Sequence, residues 1–257
     1  MTWGSPDGET RGAAPVFEFG GVMMQPHSPA LDSAHADGPR WYHWIWHLIG
    51  LGWWELIMRV LNRITVLGRE HIPKRGASNL LICSNHISAL DPFLIGIIAM
   101  PKCSPVWWRA PAKEELFDRP VVKHVLRTWG AFPVKRGQRD FASIERMVRL
   151  LPSSVIVLFP EGTWSDTGRL LPGRPGVGKV IYDAKPTVIP VAIAGADRIL
   201  PRDHTLPRIG RRATIAFGPP VDLQRFYAEP DSPELSQRIV DAVMAAIGEL
   251  YDRMNQA

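Results

Sequence analysis

The chain has 257 residues, enough to bury a full core as one large domain or two small ones, and its 46% hydrophobic and 21% charged content is ordinary for a globular protein. The formal charge is +5; residues 1–40 hold two Arg against five acids, a net of −3, so the rest of the chain carries +8. Such a basic body fits anionic partners, either lipid or phosphorylated small molecules, and with no recognisable nucleic-acid motif the sequence argues against nucleic acid.

Residues 1–40 are rich in Gly, Pro, Ser and His without a sustained apolar period, and they read as a mobile tail. They lack a basic region followed by an apolar core, so no signal peptide is expected there. Cys83 and Cys103 sit in neither a metal-ligand spacing nor a disulfide framework, which points to a reducing compartment.

Residues 41–67, WYHWIWHLIGLGWWELIMRVLNRITVL, change character. Trp53, Leu56, Ile57, Val60, Leu61 and Ile64 repeat at helical spacing, and Trp41, Trp44, Ile45 and Leu48 do so before them. The spacing predicts two amphipathic helices that part at Gly50 and Gly52. Glu55, Arg59 and two His make a spanning helix costly, whereas clustered Trp suits a headgroup boundary. The pair is expected to lie in one leaflet. The competing expectation is packing on the protein's own core, because the 3.6-residue period does not separate lipid from core.

From residue 78 the pattern alternates. Strand-like runs occupy 79–84, 105–109, 130–134, 154–159, 187–194 and 213–217, with helical patterns between several of them, notably 139–151. This predicts an α/β fold with a mixed, largely parallel central sheet flanked by helices. A closing helix over about 233–254 is expected to be capped by Ser232, with Leu235, Ile239, Val243, Ile247 and Leu250 as its apolar stripe.

Two stretches carry chemistry. The first is Ser84-Asn85-His86-Ile87-Ser88-Ala89-Leu90-Asp91-Pro92. On one continuous helix, residues five apart point about 140° from each other. His86 and Asp91 meet only if His86 precedes the helix and Asp91 stands in or after its first turn, where Pro92 fits well. Once met, Asp91 fixes one ring nitrogen as a donor and leaves the other as a free base. A capping His beside a first-turn Asp is the structural alternative. The second stretch runs from a buried strand into Phe159-Pro160-Glu161-Gly162-Thr163, where Gly162 permits close backbone approach.

Together, NHISALDP and FPEGT resemble the glycerolipid acyltransferases typified by 1-acylglycerol-3-phosphate acyltransferases. The family pattern N-H-x-x-x-x-D is met by Asn85, His86 and Asp91. The pattern F-P-E-G-T-R-S is met by Phe159, Pro160, Glu161, Gly162, Thr163 and Ser165. GAFPVKRG, ending at Arg136, and the Ile189-Pro190-Val191 strand are similar to the two remaining motifs, in family order. The resemblance covers about residues 70–220 and implies a catalytic domain over 68–257. It implies acyl transfer from acyl-CoA or acyl carrier protein to the hydroxyl of a lysophospholipid or glycerol phosphate, first of all 1-acylglycerol 3-phosphate, on the cytoplasmic face of a membrane. His86 and Asp91 would be catalytic. Glu161 and Gly162 would shape the acceptor pocket with Asn85 and Thr163. No metal or cofactor is implied beyond the thioester co-substrate.

One departure stands out. Trp164 occupies the place of the family's Arg after F-P-E-G-T, the residue expected to meet acceptor phosphate. Trp164 suits a sugar ring or larger headgroup, which raises a mannosylated inositol lipid as an alternative acceptor; Lys113, Lys135, Arg136, Arg169 and Arg174 are candidates to supply the missing charge. A non-catalytic membrane-binding module and a thioester hydrolase are the competing readings. Gly173–Lys179, GRPGVGK, mimics a nucleotide phosphate loop, but Val180 stands where Ser or Thr should hold magnesium, and no buried strand feeds it. No G-x-S-x-G elbow is present.

Overall fold

The computed structural model describes residues 18–19, 22–23, 41–74, 76–103, 107–134, 140–204 and 206–256. The chain divides into two compact units, Met1–Asp37 and Gly38–Ala257. In the first, β1 (Glu18–Phe19) pairs antiparallel with β2 (Val22–Met23). The tail expected over residues 1–40 otherwise lies outside the described residues.

The second unit is built on a seven-stranded sheet. In chain order its strands are β3 (Arg63–Leu67), β4 (Leu80–Ser84), β5 (Trp107–Lys113), β6 (Ala131–Val134), β7 (Ser154–Leu158), β8 (Thr187–Ala194) and β9 (Arg212–Phe217). Their spatial order is β3-β9-β8-β4-β7-β5-β6. Every pairing is parallel except β8 with β9. The sheet is therefore mixed and mostly parallel, as the alternation of elements predicts.

Both faces are covered, which is why β4 and β7 read as unbroken apolar runs rather than alternating ones. Leu81, Cys83, Ile156 and Leu158 point to one layer, shared with α4 (Phe141–Leu150), α5 (Pro175–Ala184) and α7 (Pro233–Gln256). Leu80, Ile82, Val155 and Val157 point to the other, where Leu94, Ile95 and Ile98 of α2 (Asp91–Cys103) lie. Helices α3 (Pro120–Thr128) and α6 (Ala196–Ile199) complete the shell. Helix α7 starts as expected: the Leu235 amide donates to Ser232 Oγ at 3.0 Å.

The segment 41–67 departs from the expected helical pair. Trp41–Glu55 is one helix, α1, uninterrupted by Gly50 or Gly52, and Leu56–Val60 continues it as a π-helical turn. A mid-helix glycine costs about 1 kcal/mol, which packing readily offsets; here Trp54 stacks on Phe93 of α2, ring centroids 4.7 Å apart. The helix ends where buried Asn62 turns back, its Nδ2 donating to the Ile57 carbonyl and its Oδ1 accepting from the Arg211 amide. Residues 63–67, expected to be helical, form strand β3 instead. Helical spacing through Ile64 was fortuitous; the period that operates there is two, with Ile64 and Val66 half-buried between exposed neighbours.

Outward-facing side chains of α1 and its extension are large and apolar. Ile45, Leu48, Ile49, Trp53, Leu56 and Val60 are all exposed, Val60 at 72% and Leu48 at 68%. At 3.6 residues per turn Ile45, Leu48, Ile49 and Trp53 share one face, opposite Trp54. The helix is thus apolar on two sides, one against α2 and one uncovered. Among the described residues no helix is long and apolar enough to cross a membrane.

Candidate active site

Neighbouring parallel strands β4 and β7 end at the same edge of the sheet. Their exits, residues 85–90 and 159–165, therefore lie side by side in the crevice where open α/β sheets place ligands. This brings the two chemistry-bearing stretches together although some 75 residues separate His86 from Glu161.

Asn85 locks the first exit. Its Nδ2 donates to the Ile193 carbonyl at 2.9 Å and its Oδ1 accepts from the Ile193 amide at 2.8 Å, clamping the loop to β8. Both contacts tie this residue to the scaffold of β8. His86 follows, 5% exposed and short of the helix, and Asp91 is the first residue of α2 with Pro92 behind it. That is the arrangement the spacing requires.

His86 Nδ1 lies 2.8 Å from Asp91 Oδ2. The same oxygen accepts the amides of Ile87 at 2.7 Å and Ser88 at 2.8 Å. An oxygen already receiving two N–H groups at a helix N-terminus is a carboxylate oxygen, so Nδ1 donates and Nε2 remains the basic nitrogen. Complete burial pushes the Asp91 carboxyl above its ordinary value, while the His86 ring and the two amides oppose that by binding the ionised form. Two aromatic rings contact the imidazole. Phe159 stacks on it with centroids 4.0 Å apart, and Trp164 meets it edge-on at 5.4 Å.

Glu161 is 1% exposed and its Oε1 accepts the His86 amide at 3.3 Å, while Oε2 makes no hydrogen bond of ordinary geometry. Burial pushes its carboxyl up to about 7; the His86 and Leu171 amides work against that rise, and Asp91 adds to it. Gly162 adopts φ +68°, and a Cβ there would lie 3.3 Å from Arg174 Cγ, so the turn favours glycine. Arg174 in turn donates from Nε to the Glu161 carbonyl at 3.4 Å and from its amide to the Pro160 carbonyl at 2.9 Å.

The other expected site residues are more scattered. Thr163 and Arg169 are exposed, and the Arg169 carbonyl accepts Ser165 Oγ. Lys113 ends β5, two strands away from β4, and pairs with Glu115 at 3.2 Å. Arg136 and Lys135 lie outside the described residues.

Several contacts had no signal of their own. The Ser165 amide donates to the His86 carbonyl at 2.8 Å, and Ser88 Oγ donates to the Leu200 carbonyl at 2.9 Å. The phosphate-loop mimic is structural: it opens α5, and a Cβ on Gly178 would fall 1.8 Å from the Ser236 carbonyl oxygen of α7. Its Lys179 is taken up by Asp183 at 2.6 Å and Asp231 at 2.8 Å. Among the described residues no group of three or more His, Cys, Asp or Glu side chains is gathered for a metal ion.

Known proteins resemble this chain in sequence and fold. A 1-acyl-sn-glycerol-3-phosphate acyltransferase of Bacillus subtilis is 26% identical over 203 residues, covering 79% of this chain and 95% of that protein. A chloroplastic 1-acyl-sn-glycerol-3-phosphate acyltransferase of Arabidopsis thaliana is 26% identical over 158 residues, 60% of this chain; the match spans only 42% of the plant protein's length. The crystal structure of the 1-acyl-sn-glycerophosphate acyltransferase PlsC from Thermotoga maritima superposes with a TM-score of 0.55 at 26% identity, over 73% of this chain and 71% of that one. The Acyltransferase family model matches residues 63–194, just over half of the sequence and the span that holds both the His86–Asp91 loop and the Glu161–Gly162 turn. The chain belongs to the Acyltransferase family.

Proposed function

We propose that the protein transfers a fatty acyl group from a thioester, acyl-CoA or acyl carrier protein, to the hydroxyl of 1-acylglycerol 3-phosphate. The observation that carries this reading is the His86 ring, its Nδ1 anchored to Asp91 and its Nε2 left as base. Nε2 takes the acceptor's hydroxyl proton as the oxygen bonds to the thioester carbonyl carbon. The tetrahedral adduct then collapses, the C–S bond breaks, and the imidazolium returns the proton to the leaving thiolate. Asp91 orients the ring and stabilises its transient charge. General base catalysis of this kind supplies about 10²–10⁴-fold, or roughly 3–5 kcal/mol. Orientation of the two substrates supplies more. Names of the relatives support the acceptor, since those of Bacillus subtilis and Arabidopsis thaliana are both 1-acyl-sn-glycerol-3-phosphate acyltransferases.

Location fits the chemistry. The uncovered apolar face of α1 and the basic character of residues 41–257 suit peripheral attachment to an anionic membrane surface, where the lipid acceptor and the acyl chain reside. A second acceptor class, a glycolipid such as a mannosylated inositol lipid, is favoured by one observation, the Trp164 ring set edge-on to His86. The test is an acceptor panel, with lysophosphatidate, glycerol 3-phosphate and a mannosylated inositol lipid each offered with acyl-CoA and with acyl carrier protein, and products read by mass spectrometry. Diacylated phosphatidate as the main product supports the proposal; thioester release that ignores the acceptor, or product only from the glycolipid, contradicts it.

A further inference from the structure

Trp164 stands in the first rank beside His86, and its ring has a second neighbour. The guanidinium carbon of Arg202 lies 5.9 Å from the Trp164 ring centroid. Arg202 belongs to the segment that follows α6, over a hundred residues from His86 in sequence. That segment is fixed to the catalytic loop, because Ser88 Oγ donates to the Leu200 carbonyl at 2.9 Å, and Ser88 is itself one of the two amides on Asp91 Oδ2. A turn, the His204 amide to the Pro201 carbonyl at 3.0 Å, holds the chain on the other side of Arg202.

We infer that Arg202, seated over Trp164, binds the phosphate of the acceptor and makes the site prefer a phosphate-bearing headgroup. This inference rests on the acyl-transfer reading and extends it to a residue that the family's motifs do not contain.

The chemistry supports the assignment in three ways. First, the acceptor's phosphate hangs a few bonds from its reacting hydroxyl, so a group that holds it must stand beside His86 without touching it. Arg202 does so through one intervening ring. Second, a guanidinium carries five donors in a planar fork and binds phosphate in pairs of hydrogen bonds. In this structure its Nη1 pairs with Asp166, and both side chains are more than 60% exposed. An exposed pair of that kind contributes about 0–1 kcal/mol, so a phosphate displaces or shares it at little cost. Third, two other candidate cations are engaged elsewhere. Arg174 Nε holds the Glu161 carbonyl, and Lys113 pairs with Glu115 two strands away. Trp164 adds a cation–π contact that limits the guanidinium's freedom before the ligand arrives.

The experiment is calorimetric binding of a short-chain 1-acylglycerol 3-phosphate, below its aggregation threshold, and of the matching 1-monoacylglycerol, to the whole chain and to R202A, R202K and D166N. The wild-type protein is expected to prefer the phosphorylated ligand. R202A should weaken that ligand by about 10–100-fold, the value of a charged hydrogen-bonding contact, and abolish the preference over the monoacylglycerol. R202K should restore part of it, and D166N should keep or strengthen it. In transfer assays R202A should raise the acceptor KM far more than it lowers kcat. Retention of the full phosphate preference by R202A overturns the inference, as does a wild-type protein without any such preference. The acyl-transfer reading fails separately: phosphate binding that depends on Arg202, with no acylated product from any thioester, would leave the subsite standing and remove the transferase.

Discussion

Asp91 Oδ2 receives three donors at once, the His86 ring at 2.8 Å and the amides of Ile87 and Ser88. One atom thus fixes both the backbone turn that enters α2 and the tautomer of the His86 ring. In Asp91→Asn the carboxamide oxygen keeps all three donors at the Oδ2 position, but the negative charge that stabilises the imidazolium is gone. The expected result is a fall in kcat of about 10²–10⁴-fold, the worth of general base catalysis, with acceptor KM little changed. Steady-state kinetics on the purified variant check this.

Asn85 contributes to stability through its two bonds to β8. Asn85→Ala strips two hydrogen bonds from the buried Ile193 backbone and leaves its amide and carbonyl without those partners. At about 1–3 kcal/mol for an orphaned buried group, a loss near 3 kcal/mol is expected, and a chain of this size should melt roughly 6–12 °C lower. Thermal unfolding followed by circular dichroism measures it.

Glu161 makes stability depend on pH. Its carboxyl titrates near 7 in the folded chain against 4.5 when free. Between those values the folded state keeps a proton that the unfolded state has released, so this group's contribution to stability falls as pH rises through that window. Glu161→Gln removes the dependence. The melting temperature of the variant should therefore gain on that of the wild-type protein between about pH 5 and pH 8. Melts at stepped pH read the difference between the two proteins, which cancels the other titrating groups.

The exposed face of α1 makes a third kind of prediction. Trp53→Glu combined with Val60→Asp places charges on side chains that are 61% and 72% exposed. Since burying one large apolar side chain is worth about 1.5–3 kcal/mol, vesicle flotation should show binding to anionic liposomes weakened by well over tenfold. Thermal stability should move by no more than about 0.5 kcal/mol, as for other surface positions.

Much of this was legible in the sequence because it is local. Apolar runs bounded by turn residues mark β4, β7 and β8 to within a residue, since both faces of a covered sheet must be apolar. The five-residue spacing of His86 and Asp91, with Pro92 behind, dictates a base before a helix and an acid within its first turn. Other features were not legible because they depend on partners far along the chain. Ile64 and Val66 fit a helical stripe as well as a strand, and only the register with β9 decides. The clamp of Asn85 on Ile193, 108 positions away, is likewise invisible until the strands are in register. Arg202 carries no motif, and its position over Trp164 arises from the fold alone. The exit of β7 beside that of β4 follows from strand order, which periodicity does not encode.

In the proposed mechanism the His86 imidazole, steered by Asp91, takes the proton of the attacking alcohol. The direct measurement is the single-turnover rate of acyl transfer from a thioester to lysophosphatidate by His86→Ala, with fold checked by circular dichroism and acceptor binding by calorimetry. Transfer slowed by about 10²–10⁴-fold is expected, in a folded protein that still binds its acceptor. A folded His86→Ala protein that transfers the acyl group at close to the wild-type rate would contradict it.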